Sequence, residues 1–102
     1  MARVAAAPVS IVTLTYVAPL DAVDAQMKAH VAWLEQAVDA GLLLVAGRQV
    51  PRVGGVVVFR GHRAEVEALV ASDPFITSGV ATAEVVEIAA SFAADEVAAL
   101  LA

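Results

Sequence analysis

The sequence predicts one α+β domain of ferredoxin-like type, with the order β-α-β-β-α-β, a four-stranded antiparallel sheet and two main helices on one sheet face. Three observations carry this. Stretches at 8–17, 42–47, 55–60 and 81–90 are rich in β-branched and aliphatic residues. Stretches at 22–40 and 62–71 repeat apolar residues every three or four positions. The 102 residues suffice for one domain and not for two, so 1–102 is read as a single unit with its core at 8–91 and a helical tail at 94–101.

Residues 1–7 read as a loose lead-in. In the first strand, Val12, Leu14 and Tyr16 share one face and Ile11, Thr13 and Thr15 the other, because side chains alternate along a strand. Pro19 ends it. Asp21 reads as the cap of the first helix, and Asp24 lies in its first turn, where negative charge is favoured. That helix is expected to run unbroken over 22–40, with Val23, Met27, His30, Leu34 and Ala37 on its inner face, widened by Val31 and Val38. Gly41, free to adopt positive φ, stops it.

The continuous apolar run LLLVAG predicts a second strand covered on both faces. RQVPRVGG then forms an enlarged hairpin loop to the third strand, GVVVFR. The second helix at 62–71 turns Val66, Leu69 and Val70 inward. Pro74 excludes Asp73 from the α region and suits the first position of a helix, so a short helical turn starts at Asp73 and stops at Gly79. The fourth strand follows at 81–90.

Composition narrows the function classes. Hydrophobic residues make up 61% of the chain and charged residues 17%, against about 45–50% and 25% in ordinary domains. Alanine accounts for part of the excess, but the Val and Leu runs of the strands do not reduce to alanine. Two helices cover one sheet face, and the other carries aliphatic surface whichever register holds. A second copy packed sheet to sheet would cover it, so a homodimer is expected. The net charge of −5 and the lack of a basic run argue against nucleic acid as partner. No segment has the length and apolarity of a spanning helix, no leader pattern is visible, and a cytoplasmic protein without membrane association is expected. Cysteine is absent, which excludes thiol catalysis and Cys-ligated metal, and the histidines and carboxylates match no metal-ligand spacing. No flavin, haem, nucleotide or phosphate-loop motif occurs, so no cofactor is expected.

A few residues remain as candidates for chemistry. His30 lies in the apolar stripe of the first helix, either as a satisfied core histidine or as an acid/base group facing a pocket. Asp73 is a natural helix cap, and a carboxylate there has a second oxygen that can orient an imidazole. Local spacing does not bring these two together; only a fold can. The segment GRQVPRVGG is either a plain hairpin connection or a pocket rim on which Arg48 or Arg52 meets a carboxylate or phenolate. Tyr16, Trp33 and Phe75 are core aromatics or cavity lining.

KAHVAWLEQAVDAG with its histidine, then LLLVAGRQVPRVGG, then ASDPFITSG and EVVEI, in this order, resemble the YCII-related (YciI-like) domain family over most of 8–91. The resemblance implies a ferredoxin-like domain that dimerises into an α+β barrel. It also implies a pocket in which a histidine and an aspartate meet, at positions matching His30 and Asp73. Activities in the family and its wider superfamily include dehydrochlorination, lactone isomerisation and monooxygenation. Many members have Gly-Pro after the second strand; Gly47-Arg48 stands here and adds a positive charge beside the expected pocket. The expectation is cofactor-free acid/base chemistry, of isomerase or lyase (dehydrohalogenase) type, on a small anionic molecule. His30 would move the proton, Asp73 would orient it, and Arg48, Arg52, Tyr16 and Phe75 would hold the substrate. The competing expectations are a non-catalytic binding or assembly module and a cofactor-free monooxygenase.

Overall fold

A computed structural model describes residues 2–101. It places β1 at Ala2–Tyr16, α1 at Leu20–Ala25, α2 at Met27–Asp39, β2 at Leu43–Arg48, β3 at Gly54–Arg60, α3 at Arg63–Val70, α4 at Pro74–Thr77, β4 at Ala81–Ala93 and α5 at Asp95–Leu101. The strands form one sheet in the order β2-β3-β1-β4, and every neighbouring pair is antiparallel. This is the ferredoxin-like α+β arrangement.

The core lies between the sheet and the helices. Val12, Leu14, Val57, Phe59 and Val85 from the strands meet Val23, Trp33, Ala37, Val66, Val70 and Phe75 from the helical layer. Each larger aliphatic or aromatic side chain buried there contributes roughly 1.5–3 kcal/mol. The register sets the opposite face: Ile11 lies across from Val58 and Val86, and Val9 across from Ile88. In the single chain this face leaves Val86 53% and Ile88 45% exposed.

Several local expectations are corrected. The segment at 2–7 is not a loose lead-in: it extends β1 and pairs with β4, Ala2 opposite Ala93 and Ala7 opposite Ala90, with a register shift between Arg3 and Ala7. Alanine has weak strand propensity, and here the ladder decides. The cation–π contact of Arg3 over Phe92, at 5.0 Å, supports the ribbon. The first helix is two helices. Gln26, at φ −99° and ψ −2°, breaks it, and its N–H closes on the Val23 carbonyl at 3.0 Å. The cap is Pro19 rather than Asp21, which lies in the first turn.

On α2 the buried set is His30, Trp33 and Ala37, whereas Val31 and Val38 are exposed. Bulk decides this, since Trp33 fills the space against Phe59 with rings 5.9 Å apart. β2 is not covered on both faces. As an edge strand it has one neighbour, and Val45 is 60% exposed. α5 packs beside β1 and β4 of its own chain, where Arg60 Nη1 donates to the Leu100 carbonyl at 2.7 Å.

Other punctuation falls where the residue chemistry places it. Gly41 ends the helix with φ +73°. Gly54 has no room for a side chain, because a Cβ there would collide with the Leu14 carbonyl oxygen and crowd Gln49. Among the described residues no helix is long and apolar enough to cross a membrane.

Candidate functional site

The site begins with a proline. Pro74 holds Asp73 extended, at φ −63° and ψ 126°, and Asp73 caps α4 by accepting the Phe75 backbone N–H on Oδ1 at 3.0 Å. Asp73 is completely buried. The same Oδ1 lies 2.8 Å from Nδ1 of His30, 43 residues earlier in the chain. Against an ionised carboxylate, which only accepts, Nδ1 must carry its hydrogen and donate it. In a neutral imidazole bonded in this way, the other nitrogen, Nε2, is the one left to accept a proton. Oδ2 of Asp73 is buried without a hydrogen-bond partner among the described residues.

A second rung lies beside the first. One turn along α2, Trp33 Nε1 donates to Ser72 Oγ at 3.0 Å, and Ser72 Oγ donates to the Leu69 carbonyl at 2.7 Å. Trp33 with Ser72 and His30 with Asp73 thus tie α2 to the α3–α4 turn at adjacent positions on both segments. The His30 ring is also stacked on Phe75, with centroids 3.8 Å apart and planes 3° from parallel, and it lies 6.0 Å from Trp33. Phe75 therefore supplies an N–H to Asp73 and a flat ring to His30. Tyr16 meets the edge of Phe75 at 5.9 Å.

His30, although only 7% exposed, lines a cavity of about 500 Å³ between α1–α2 and the β2–β3 hairpin. That is within the usual range of small-molecule pockets, about 300–1,000 Å³. Its walls are mostly apolar: Leu14, Met27, Val31, Leu34, Ala46 and Val57. Tyr16, Arg48, Arg52 and Phe75 reach it as well, so all six expected site residues lie in or directly behind one cavity. Their situations differ. Phe75 is almost wholly buried behind its stack on His30. Arg48 is exposed on the rim and has no ion pair among the described residues. Arg52 Nη2 donates to Asp24 Oδ1 at 2.5 Å, and its guanidinium lies over the Tyr16 ring at 5.8 Å. The hydrogen bond to Asp24 first, and that to Tyr16 second, hold the Arg52 guanidinium above its ordinary pKa.

Two participants escaped the sequence reading. Asp24, expected in the first turn of the helix, lies near the end of α1, because the helix starts at Leu20, and it faces the cavity. The spacing 24, 27, 31, 34 is helical and was a usable signal. Ser72 has no such signal, because its link to Trp33 arises from the meeting of distant segments. His62, the second histidine, lies outside the cavity lining and faces Glu87, with Nδ1 3.2 Å from Oε2.

Among curated proteins none matches this chain. Among solved structures, the fold is similar to that of 5-chloro-2-hydroxyhydroquinone dehydrochlorinase from Burkholderia phenoliruptrix AC1100, in complex with 2,5-dihydroxybenzoquinone. The TM-score is 0.66 at 19% sequence identity, covering 76% of this chain and 90% of that one. At that identity the likeness speaks for the fold. The YCII-related domain matches residues 9–89, a span that takes in β2 and β3 whole, most of β4, the second half of β1, His30 and Asp73. The chain belongs to the YCII-related domain family.

Proposed function

We propose that the protein is a small cofactor-independent enzyme that uses His30 and Asp73 for acid/base chemistry on a small anionic metabolite, as an isomerase or a lyase of dehydrohalogenase type. One observation carries the reading: a single imidazole is bonded through Nδ1 to a buried carboxylate and also lines a cavity of substrate size. A sealed core histidine would do only the first.

The chemistry follows from the tautomer. His30 Nε2 takes a proton from the carbon beside a carbonyl, and the electron pair of the broken C–H bond forms an enolate. In an isomerisation Nε2 returns the proton to a different carbon. In an elimination the electron pair forms a carbon–carbon double bond, the halide leaves with its own bonding pair, and the proton passes from Nε2 to solvent. Asp73 keeps the ring oriented and stabilises the imidazolium that forms at each turnover. Arg48 or Arg52 holds the anionic group. The dehydrochlorinase activity of the similar structure favours the elimination branch.

The test is a panel of small anionic ketones, lactones and chlorinated hydroxyquinols, assayed with the wild type and His30→Gln. Turnover by the wild type that drops about 10²–10⁴-fold in the variant is expected. Turnover unchanged in His30→Gln sinks the assignment, and saturable binding without turnover across the panel favours a binding module.

The assembly belongs to the same proposal. Val86, Ile88, Ile11 and Val58 form an apolar strip on the face away from the helices. A second copy packed on it makes a homodimer. Val86→Glu puts a charge in the strip and is expected to turn a dimer into a monomer in sedimentation equilibrium. A wild type that is monomeric at micromolar concentration overturns the dimer.

A further inference from the structure

The cavity holds more charge than proton transfer requires. Arg48 and Arg52 both line it, and so does Asp24. Arg52 is already engaged: its Nη2 donates to Asp24 Oδ1 at 2.5 Å, and Tyr16 flanks its guanidinium. Two arginines and one aspartate leave the wall with a surplus of one positive charge, and Arg48 has no ion pair among the described residues.

We propose that Asp24 is a specificity-determining residue that limits the cavity to ligands with one negative charge on a largely apolar body, the anion being held by Arg48. The inference rests on the reading of this cavity as the substrate site. Asp24 stands where a second ligand carboxylate would otherwise find Arg52. The Arg52–Asp24 pair is partly exposed, with side chains 27% and 58% accessible, so it is not a strong bond in itself. Its effect comes from the fixed negative charge, which repels a second anion even when the pair opens. The far end of the cavity reinforces this. Val31, Leu34 and Ala46 are shared with a shallower groove that carries Glu35 and Asp39, so a ligand anion is disfavoured there too. Between these acidic sites the wall is aliphatic and suits a ring or a short hydrocarbon.

The class is therefore a monoanion, such as a phenolate, an enolate or a single carboxylate on an apolar frame. Dicarboxylates and phosphate esters are selected against.

Benzoate and isophthalate are suitable probes, because they share a ring and differ by one carboxylate. Binding is followed by chemical-shift titration on the wild type, Arg48→Gln, Asp24→Asn and His30→Gln. The wild type is expected to prefer benzoate by about tenfold or more, the equivalent of about 1.4 kcal/mol. Arg48→Gln is expected to weaken benzoate by about tenfold. Asp24→Asn releases Arg52 without removing bulk, so isophthalate should gain about tenfold while benzoate changes little. Asp24 is exposed, and an unchanged circular dichroism spectrum confirms the fold of that variant. A benzoate-to-isophthalate ratio that is the same in Asp24→Asn as in the wild type overturns the proposal. So does the absence of saturable, Arg48-dependent benzoate binding. His30→Gln separates the two readings: the charge preference should persist in it whether or not His30 moves a proton.

Discussion

The molecule contains the same small constellation twice. At the start of α4, Asp73 accepts a backbone N–H from Phe75 and faces Nδ1 of His30. At the start of α3, Glu87 accepts a backbone N–H from Arg63 at 2.5 Å and faces Nδ1 of His62. Each carboxylate accepts a backbone N–H at a helix start and each pairs with an imidazole. The surroundings separate them. The His30 and Asp73 side chains are 9% and 0% exposed, and the His62 and Glu87 side chains are 65% and 36% exposed. His30 is stacked on Phe75 and lines a cavity, whereas His62 lies on the surface beside Glu65, which accepts its backbone N–H at 3.1 Å. A histidine bonded to a carboxylate is common geometry. Burial, aromatic clamping and access to a cavity set one pair apart and support the proposed acid/base role, whereas the other pair lies at the surface of a helix start.

The two sites should respond differently when each imidazole is removed in turn. His30→Gln is expected to lower kcat by about 10²–10⁴ on any substrate the protein turns over. His62→Gln, outside the cavity, should leave kcat and KM within error of the wild type. Equal losses from the two variants, measured in one steady-state assay, would show that the contrast in environment does not matter.

Why one pair was legible in advance and the other was not is itself physical. His30 announced itself as a polar residue in an apolar stripe, and Asp73 as a cap before proline; both signals lie within a few residues. His62 and Glu87 carry no such contrast, since polar residues at an exposed helix start and strand end are ordinary. The meeting of His30 with Asp73 was not in the local sequence and came only from the family resemblance. The break at Gln26 also had no signal, because neither glycine nor proline marks it. Its consequence is to let α1 and α2 turn separately, with Val23 buried on one and His30 on the other. The exposure of Val31 and Val38 has no local signal for a related reason. Helical periodicity gives a face, but only packing against Trp33 and Phe59 decides its width.

Removal of the buried carboxylate should also be felt in stability. Asp73→Ala loses the cap of α4, at about 0.5–2 kcal/mol, and strands the buried Nδ1–H of His30, at about 1–3 kcal/mol. Asp73→Asn keeps an acceptor for the Phe75 N–H and should recover most of that loss in urea unfolding. It should not recover turnover, because a neutral amide neither fixes the tautomer unambiguously nor stabilises an imidazolium. Full activity in Asp73→Asn would reduce Asp73 to an acceptor for a helix-start N–H, which is what Glu87 is for Arg63 on α3.

The aromatic clamp gives a smaller effect. Phe75→Leu keeps an apolar side chain in the core but removes the ring stacked on His30, with a packing contribution of about 0.5–1.5 kcal/mol. The imidazole then has freedom to tilt about its bond to Asp73. A fall in kcat of about tenfold with little change in KM is expected, since misplacement of the base affects the chemical step more than binding. A rise in KM with kcat unchanged would instead identify Phe75 as a substrate contact.

The smallest effect belongs to the exposed pair, and its sign is fixed. The Arg63 backbone N–H first, and the His62 hydrogen bond second, hold the Glu87 carboxyl below its ordinary pKa near 4.5. A carboxyl whose folded pKa is lowered adds stability above the unfolded value and loses it as pH falls through the folded one. Glu87→Gln removes that charge while leaving an oxygen to accept from Arg63. The variant should melt slightly below the wild type at neutral pH, and the two melting curves should converge as the pH falls below the ordinary carboxylate range. A gap that instead widens toward acid would mean that the carboxylate of Glu87 is not what favours folding there. The start of α3 would then depend on Glu65 and its bond to the His62 backbone, and the likeness between the two caps would end at their geometry.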